Sequence, residues 1–153
     1  MARGTTFFGR LDRLPASTQT IRVLGERLGP VRIKVAQKRD DGFLRLLLDS
    51  LDPHVRWALD FRHESWDEPE IDARLAERGV ARVNVLESGA TFRYLRLREP
   101  PYDDDGLAEL GAKIQPLVAA GVDVYAYFRH EDEPTAPAYA ERLLELVGRS
   151  ARR

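Results

Sequence analysis

The 153-residue chain contains no cysteine. This excludes disulfides, thiolate nucleophiles and iron–sulfur clusters, because each of them needs cysteine sulfur, and it agrees with a reducing compartment. No apolar run approaches the roughly 18 residues that a transmembrane helix requires. The first residues also lack the apolar core of a secretory signal. We therefore expect a cytoplasmic protein that has no membrane partner.

Lysine is also scarce, since 3 of the 24 basic residues are lysines and 21 are arginines. A GC-rich coding bias would produce this skew without any functional cause. The functional alternative is that planar guanidinium groups recognise phosphate or carboxylate groups. The net charge of −1 gives the whole chain no attraction to nucleic acid or membrane, so each arginine has to be judged by its position.

The length and the order of the elements predict a single α/β domain over residues 1–153. Residues 1–30 form an N-terminal segment with the first helix, residues 31–147 form βα units, and residues 148–153 form a basic tail. Five strands are predicted, at 31–35, 55–62, 81–85, 92–98 and 122–128. Helices are predicted at 18–28, 42–51, 106–120 and 136–147, with a further one between Asp67 as N-cap and Gly79. Strands that alternate with helices of this length are typical of a parallel sheet.

Two places depart from this simple pattern. Only six residues separate Val85 from Phe92, which is too few for a crossover helix. Glu87–Ala90 resembles a hairpin turn, so these two strands form either an antiparallel hairpin or a parallel pair. Pro116, inside the helix at 106–120, predicts a kink or an early end of that helix.

The two faces of the predicted sheet differ in polarity, because successive side chains of a strand point to opposite faces. One face is apolar and should lie under the helices; it carries Val31, Ile33, Val35, Leu59, Phe61, Val83, Val85, Leu95, Leu97, Val124, Ala126 and Phe128. The other is polar; it carries Arg32, Lys34, Asp60, Arg62, Arg82, Asn84, Tyr94, Arg96, Arg98, Tyr125, Tyr127 and Arg129. Parallel sheets normally bury both faces. We therefore expect a TIM-type (β/α) barrel or partial barrel whose interior is polar; the alternative is an open sheet with one solvated face.

Four sequence signatures occur in a definite order along the chain. They are Leu28-Gly-Pro30, Leu59-Asp-Phe-Arg-His-Glu-Ser-Trp66, Tyr94-Leu-Arg-Leu97 and Val124-Tyr-Ala-Tyr-Phe128. In this order they resemble the signatures of the YecE-like family, which is domain of unknown function 72 (DUF72). The resemblance covers most of the chain. It implies a TIM-type (β/α) barrel and no established activity.

The chain departs from the family pattern at three points. Family members carry their first strands ahead of the Leu-Gly-Pro turn, whereas here about thirty residues precede the first predicted strand, so the chain resembles a shortened member. Asp60 replaces the family's glutamate. Arg98 and Glu99 replace a His-Gly pair, and Arg129 and His130 replace an Asn-Asn pair. Any family chemistry that uses those histidine or asparagine side chains is in doubt here.

The carboxyl ends of the strands, where barrels place their binding groups, supply the candidate site. Arginines from neighbouring strand ends suit a phosphate or carboxylate group, and histidine suits acid–base work near neutral pH. The candidate catalytic residues are Asp60, His63 and His130, and the candidate ligand-binding residues are Lys34, Arg62, Trp66, Arg96, Arg98, Tyr127 and Arg129. We expect no metal site and no cofactor, since no recognised motif for either is present.

These residues are compatible with two classes of function. The first is an enzyme or ligand-binding barrel that takes an anionic small molecule or a nucleic acid at an arginine-rich rim. The second is a non-catalytic structural or interaction domain that has lost the family's pocket, in which Asp60 and Arg62 form an internal ion pair and Trp66 anchors the next helix. Convergence of Arg62, Arg96 and Arg129 within reach of one ligand would favour the first.

A homodimer is the expected oligomeric state. Five strands do not close an eight-stranded barrel, so the outer predicted strands are edges unless the first thirty residues cover them. Unprotected edges are templates for pairing, and a two-fold dimer would bury both. Light scattering at micromolar concentration should therefore give about twice the chain mass of 17.4 kDa. A mass near 17.4 kDa that persists on concentrating the sample would rule the dimer out.

Overall fold

The computed structural model describes residues 29–100, 102–129 and 135–150. These residues form β1 (Val31–Val35), α1 (Asp41–Ser50), β2 (Trp57–Phe61), a 3-10 turn (Glu64–Trp66), α2 (Pro69–Glu77), β3 (Ala81–Arg82), β4 (Phe92–Leu97), α3 (Asp104–Ala119), β5 (Asp123–Phe128) and α4 (Ala136–Ser150). The predicted alternation of strands and helices is confirmed in these ranges, and the helix predicted at 18–28 lies outside them. No helix in the described ranges is long and apolar enough to cross a membrane.

Side-chain caps explain where two of the helices begin. The Asp40 carboxylate accepts a 2.9 Å hydrogen bond from the N–H of Phe43 at the start of α1. The Asp103 carboxylate accepts a 2.8 Å hydrogen bond from the N–H of Gly106 at the start of α3. Both bonds satisfy N–H groups that have no partner within the helix. Pro69 occupies the first turn of α2, where its missing N–H removes no helical hydrogen bond.

One prediction about the helices is wrong. Asp67 does not cap α2, whose N-cap position is Glu68; the Asp67 carboxylate instead pairs with Arg82. Of the two outcomes predicted at Pro116, a kink or an early end, the early end does not occur, since α3 continues past Pro116. Pro116 lies in the last turn, where the lost N–H removes a single helical hydrogen bond.

All five strands are parallel and follow one another in chain order. β1 pairs with β2 along its whole length, β2 pairs with the two-residue β3, and β4 pairs with β5. A parallel bridge between Val83 and Tyr94 joins the two sheets. The described strands thus form two parallel sheets of an α/β fold, joined by this bridge, and they do not close into a barrel. β1 and β5 are the outer strands of this arrangement, and the homodimer stays a prediction.

The connection between β3 and β4 is a parallel crossover and not a hairpin. Because β3 is short, the chain has to travel back only about 10 Å, at roughly 3.3 Å per residue, before β4 can begin parallel to it. Residues 84–91 cover that distance without a helix. The Arg93 guanidinium holds the crossover instead. It donates hydrogen bonds to the carbonyl oxygens of Leu86 at 2.6 Å, Ala90 at 2.5 Å and Phe92 at 3.1 Å.

The helices cover the face that was predicted to be apolar on β1, β2, β4 and β5. Leu59 on β2 is fully buried, in one cluster with Leu44 of α1 and Ile71 of α2. Leu95 on β4 is buried with Leu107 of α3 in a second cluster, which also includes residues of α4. Burial of each such side chain stabilises the fold by about 1.5–3 kcal/mol.

β3 faces the opposite way from the prediction. Arg82 is in register with Leu59 and therefore lies on the helix-covered face, where it pairs with Asp67. Val83 belongs to the cluster on the other face, and Val85 lies beyond the end of the strand. Alternation of apolar and polar residues defines the two faces of a strand, but it does not say which face the helices cover. Arginine can lie on the helix-covered face because its aliphatic stem packs against apolar side chains while its charged end reaches a carboxylate.

We expect replacement of Arg93 by methionine to lower the free energy of unfolding by about 3 kcal/mol, because buried carbonyl groups lose a charged donor. Arg93 is 6% exposed, and burial lowers the pKa of its guanidinium while Glu87 opposes that change. Urea unfolding measures the effect. Arg78→Met is the comparison variant, since Arg78 pairs with Asp49 on the surface and should contribute less than about 1 kcal/mol. Equal losses in both variants would contradict the role of Arg93.

Candidate functional site

The parallel register brings charged side chains to the carboxyl ends of the strands on one face. We call the face away from the helices the inner face. Lys34 on β1 is opposite Asp60 on β2, and Arg96 on β4 is opposite Tyr127 on β5. Residues two positions apart on a strand share a face. The inner-face residues at this end are therefore Lys34, Asp60, Arg62, Arg96, Arg98 and Tyr127, and Arg32 lies on the same face nearer the start of β1.

Asp60 is the centre of this group. Its side chain is 8% exposed, and its Oδ2 lies 2.8 Å from a terminal nitrogen of Arg32, 2.8 Å from one of Arg62 and 2.9 Å from one of Arg98. A terminal nitrogen of Arg96 lies 3.9 Å from the same oxygen. We call Asp60 and these four arginines the arginine cluster. Because its members come from β1, β2 and β4, it spans both sheets.

The guanidinium groups of the arginine cluster lie close to one another as well as to Asp60. Each of the four has a terminal nitrogen within 3.9 Å of the Oδ2 of Asp60. Burial lowers the pKa of Arg98, and the charges of Arg62 and Arg32 lower it further, whereas Asp60 opposes this. The Nε of Arg98 is buried and has no hydrogen-bond partner among the described residues. Such an unpaired donor costs about 1–3 kcal/mol, and an anion could accept a hydrogen bond from it.

Aromatic side chains of β4 and β5 occupy the inner face next to the arginine cluster. The ring centroids of Tyr94 and Tyr127 lie 4.8 Å apart, and those of Phe92 and Tyr125 lie 6.2 Å apart. Phe92 and Tyr94 are buried, whereas Tyr125 and Tyr127 are partly exposed. At the far end the Arg56 guanidinium lies 5.8 Å from the centre of the Tyr125 ring. The inner face thus has a charged zone and an aromatic zone side by side.

Comparison of the sequence with known protein families gives a match over most of the chain. The sequence profile of the family described as "Protein of unknown function DUF72" matches residues 5–153. The chain belongs to the DUF72 family. This confirms the resemblance found in the sequence signatures. Among curated proteins, none matches this DUF72 chain.

Solved structures of other DUF72 proteins share the fold. A DUF72 family protein of Enterococcus faecalis V583 superposes with a TM-score of 0.68 at 11% identity, over 82% of this chain and 63% of that one. A DUF72 family protein of Thermotoga maritima MSB8 superposes with a TM-score of 0.57 at 17% identity, over 89% of this chain and 63% of that one. The chain therefore spans less than two thirds of the length of either relative. At these identities the likeness shows the fold alone.

Two predicted site residues of this DUF72 chain, His63 and Trp66, make contacts that serve the fold. The Nδ1 of His63 accepts a 3.1 Å hydrogen bond from the Ser65 N–H and lies 2.9 Å from the Ser65 hydroxyl, so that it caps the 3-10 turn. Trp66 is fully buried and stacks on Phe61 with ring centroids 4.6 Å apart. Its indole N–H donates a 2.8 Å hydrogen bond to the carbonyl oxygen of Gln37. Trp66 is a core residue and offers no surface to a ligand.

The remaining predicted residues differ in how close they come to the arginine cluster. Arg62 and Arg96 are two of the three arginines whose convergence would favour a ligand site, and both lie close to the Oδ2 of Asp60. Lys34 is exposed beside it. Arg129 is exposed after the end of β5 and is not one of the arginines that reach the cluster carboxylate, and His130 lies outside the described residues. In the ranges that the structure describes, no three histidine or carboxylate side chains are grouped as metal ligands.

Asn84 replaces strand pairing beside the arginine cluster. Its φ of 65° is left-handed, a conformation that asparagine adopts more readily than most residues. Its side-chain oxygen accepts a 2.7 Å hydrogen bond from the Arg96 N–H, and its side-chain nitrogen donates to the Arg96 carbonyl oxygen at 3.3 Å. The amide therefore holds the stretch of β4 from which Arg96 and Arg98 project.

Sequence reasoning does not single out Arg32 or Asn84 as site residues. The position of Arg32 on the polar face is visible in the period-two pattern, but its contact with Asp60 depends on the register between β1 and β2. For Asn84, the available signal is an asparagine within the segment 81–85 that is predicted as a strand, because asparagine favours left-handed turns.

Two replacements of Asn84 separate its two roles. Asn84→Gly keeps the left-handed backbone but removes the amide, and should lower the free energy of unfolding by about 1 kcal/mol. Asn84→Ala adds the strain of a left-handed residue with a Cβ, roughly 1–2 kcal/mol more. Urea unfolding of both variants gives the order. A glycine variant as stable as the parent chain would mean that the amide does not support β4.

Proposed function

We propose that this DUF72 protein binds a small anion, through a phosphate or carboxylate group, at the arginine cluster. The observation that carries the proposal is the meeting of four guanidinium groups at one oxygen of Asp60. Guanidinium groups present paired donors that match the oxygens of such anions. Ligands of α/β proteins bind at the carboxyl ends of parallel strands, and we infer that the inner face is the interior wall of a (β/α) barrel.

A purely structural ion pair does not require this composition. One arginine neutralises Asp60, and each further guanidinium loses hydration and repels the others. The lowered pKa of Arg98 has these causes, burial first and then the charges of Arg62 and Arg32. A second anion placed among the guanidinium groups relieves the repulsion. The repulsion that Arg98 meets from Arg62 and Arg32 therefore favours a bound anion over a role in folding alone.

The limited exposure of the arginine cluster favours a small molecule over a nucleic acid. Its arginine side chains are 11% exposed for Arg32, 32% for Arg62, and 29% for both Arg96 and Arg98. Proteins that bind nucleic acid present arginine to a continuous phosphate backbone at their surface. The net charge of −1 also provides no long-range attraction to a polyanion.

The candidate catalytic residues favour binding over catalysis. The Asp60 carboxylate is occupied by guanidinium groups, which it orients. His63 is occupied as the cap of the 3-10 turn. We therefore propose a ligand-binding role and assign no reaction. The absence of cysteine is compatible with this role in the reducing cytoplasm.

Inorganic phosphate is the probe that tests the proposal. Calorimetric titration at low salt should show saturable binding to the intact chain. Arg62→Ala should weaken that binding about tenfold or more, because a hydrogen bond between charged groups contributes about 1.5–3 kcal/mol. Its free energy of unfolding should fall by less than about 1 kcal/mol, since Arg62 is partly exposed and Asp60 keeps Arg32 and Arg98 as partners.

The control for this experiment is Arg78→Ala, which removes an equal charge from a surface pair with Asp49. It should leave phosphate affinity unchanged. Equal weakening in both variants would mean that phosphate responds only to overall charge. Absence of saturable binding by the parent chain, with a large loss of stability in Arg62→Ala, would instead support the structural or interaction domain.

A further inference from the structure

The two oxygens of the Asp60 carboxylate have different surroundings. The hydrogen bonds that this carboxylate accepts, from Arg32, Arg62 and Arg98, all end on Oδ2. None of the described residues donates a hydrogen bond to Oδ1. Oδ1 is also not one of the fully buried polar atoms that lack a partner in the described ranges, so it reaches solvent. The arginine cluster therefore contains an accessible acceptor among its donors.

We infer that the anion bound at the arginine cluster carries a hydroxyl group close to its charged group, and that this hydroxyl donates a hydrogen bond to Oδ1 of Asp60; this rests on the anion binding proposed above. An ionised carboxylate has about four acceptor sites on its two oxygens, and the arginines use only Oδ2. The remaining capacity is at Oδ1. A ligand that displaces water from Oδ1 has to supply a donor in its place, or the buried charge loses a hydrogen bond.

The donor that suits Oδ1 is electrically neutral. Guanidinium nitrogens of Arg62 and Arg98 lie 2.8 and 2.9 Å from Oδ2, and Oδ1 is bonded to the same carbon atom as Oδ2. An ammonium group at Oδ1 would therefore lie close to both guanidinium groups and be repelled by them. A hydroxyl group donates its proton without adding a positive charge. Hydroxylated anions therefore fit this site better than amino acids do.

The closeness of the two carboxylate oxygens limits where the hydroxyl lies in the ligand. The anionic group has to reach the guanidinium groups that surround Oδ2 while the hydroxyl reaches Oδ1. Both requirements are met when the two groups are separated by a few bonds, as in an α-hydroxy acid or a hydroxyalkyl phosphate ester. Because the Asp60 side chain is 8% exposed, the hydrogen bond forms in partly buried surroundings, where it is stronger than in water.

Calorimetric titration of the intact chain with three matched esters tests the inference: ethyl phosphate, 2-hydroxyethyl phosphate and 2-methoxyethyl phosphate. The hydroxyl ester should bind about tenfold more tightly than ethyl phosphate, which corresponds to about 1.4 kcal/mol. The methoxy ester accepts hydrogen bonds through its ether oxygen but donates none, so it should bind no more tightly than ethyl phosphate. Equal affinities of the hydroxyl ester and ethyl phosphate, or an advantage that the methoxy ester retains, would overturn the inference and leave the proposed anion binding intact.

Glycolate and acetate form the corresponding pair of carboxylates. Glycolate should have a similar advantage over acetate, because Oδ1 contacts the hydroxyl and not the anionic group. The pair of probes that binds more tightly shows whether the anionic group is a phosphate or a carboxylate. Glycine carries an ammonium group where glycolate has the hydroxyl and should bind more weakly than glycolate. Tighter binding of glycine would overturn the choice of a neutral donor.

Asp60→Asn tests the role of Oδ1 directly. Because guanidinium groups only donate, the amide oxygen has to take the place of Oδ2, and the amide nitrogen takes the place of Oδ1. The advantage of the hydroxyl ester should fall to about threefold or less, since a hydrogen bond between neutral groups is about half as strong as a charge-assisted one. Affinity for inorganic phosphate should rise, because a negative charge beside the anion is removed. A folded variant that keeps the full advantage of the hydroxyl ester would overturn the inference.

Asp49→Asn is the matched control, because it makes the same change in a surface pair with Arg78. It should leave the affinity for every probe unchanged. Arg62→Ala should weaken binding of all the phosphate esters and leave the advantage of the hydroxyl ester in place. If Asp60→Asn fails to fold, the comparison of the hydroxyl and methoxy esters on the intact chain still decides the question. Absence of binding by inorganic phosphate and by all of these probes would overturn both the inference and the proposed function.

Discussion

The buried carboxylate of Asp60 is the interaction on which the relation between the two sheets depends. β3 is two residues long, so backbone pairing joins β3 to the next sheet only through the bridge at Val83 in the described structure. Asp60 adds a second connection, because its Oδ2 accepts hydrogen bonds from Arg32 on β1 and from Arg98 directly after β4. The same bonds that tie these strands together also hold the guanidinium groups where we propose that an anion binds.

Polar side chains replace regular structure at other points around β3. The Asn84 amide pairs with the backbone of Arg96 as a strand would, and Arg93 satisfies carbonyl groups of a crossover that has no helix. Arg82 does the same for the Trp66 carbonyl oxygen beneath α2. Buried backbone groups need hydrogen-bond partners. Because a short strand supplies few of them, side chains make these hydrogen bonds here. The site therefore rests on side-chain hydrogen bonds more than on a regular sheet.

Two of the residues that depart from the family signatures contact each other in this arrangement. Arg98 stands where the resembled pattern has histidine, and it donates a hydrogen bond to Asp60, which stands where that pattern has glutamate. The first exchange adds a permanent cation to the inner face. Tyr94 and Tyr127 lie beside the arginine cluster on the same face.

The sequence by itself determined the order of strands and helices and the family, because these depend on interactions or motifs within a few residues. It also placed Arg62 and Arg96 on one face. Only the tertiary structure decided that β3 turns its arginine toward the helices and that the crossover to β4 is parallel. It also decided which arginines meet at Asp60. The physical reason is that alternation defines two faces without choosing the covered one, and register is set by contacts between residues far apart in the chain.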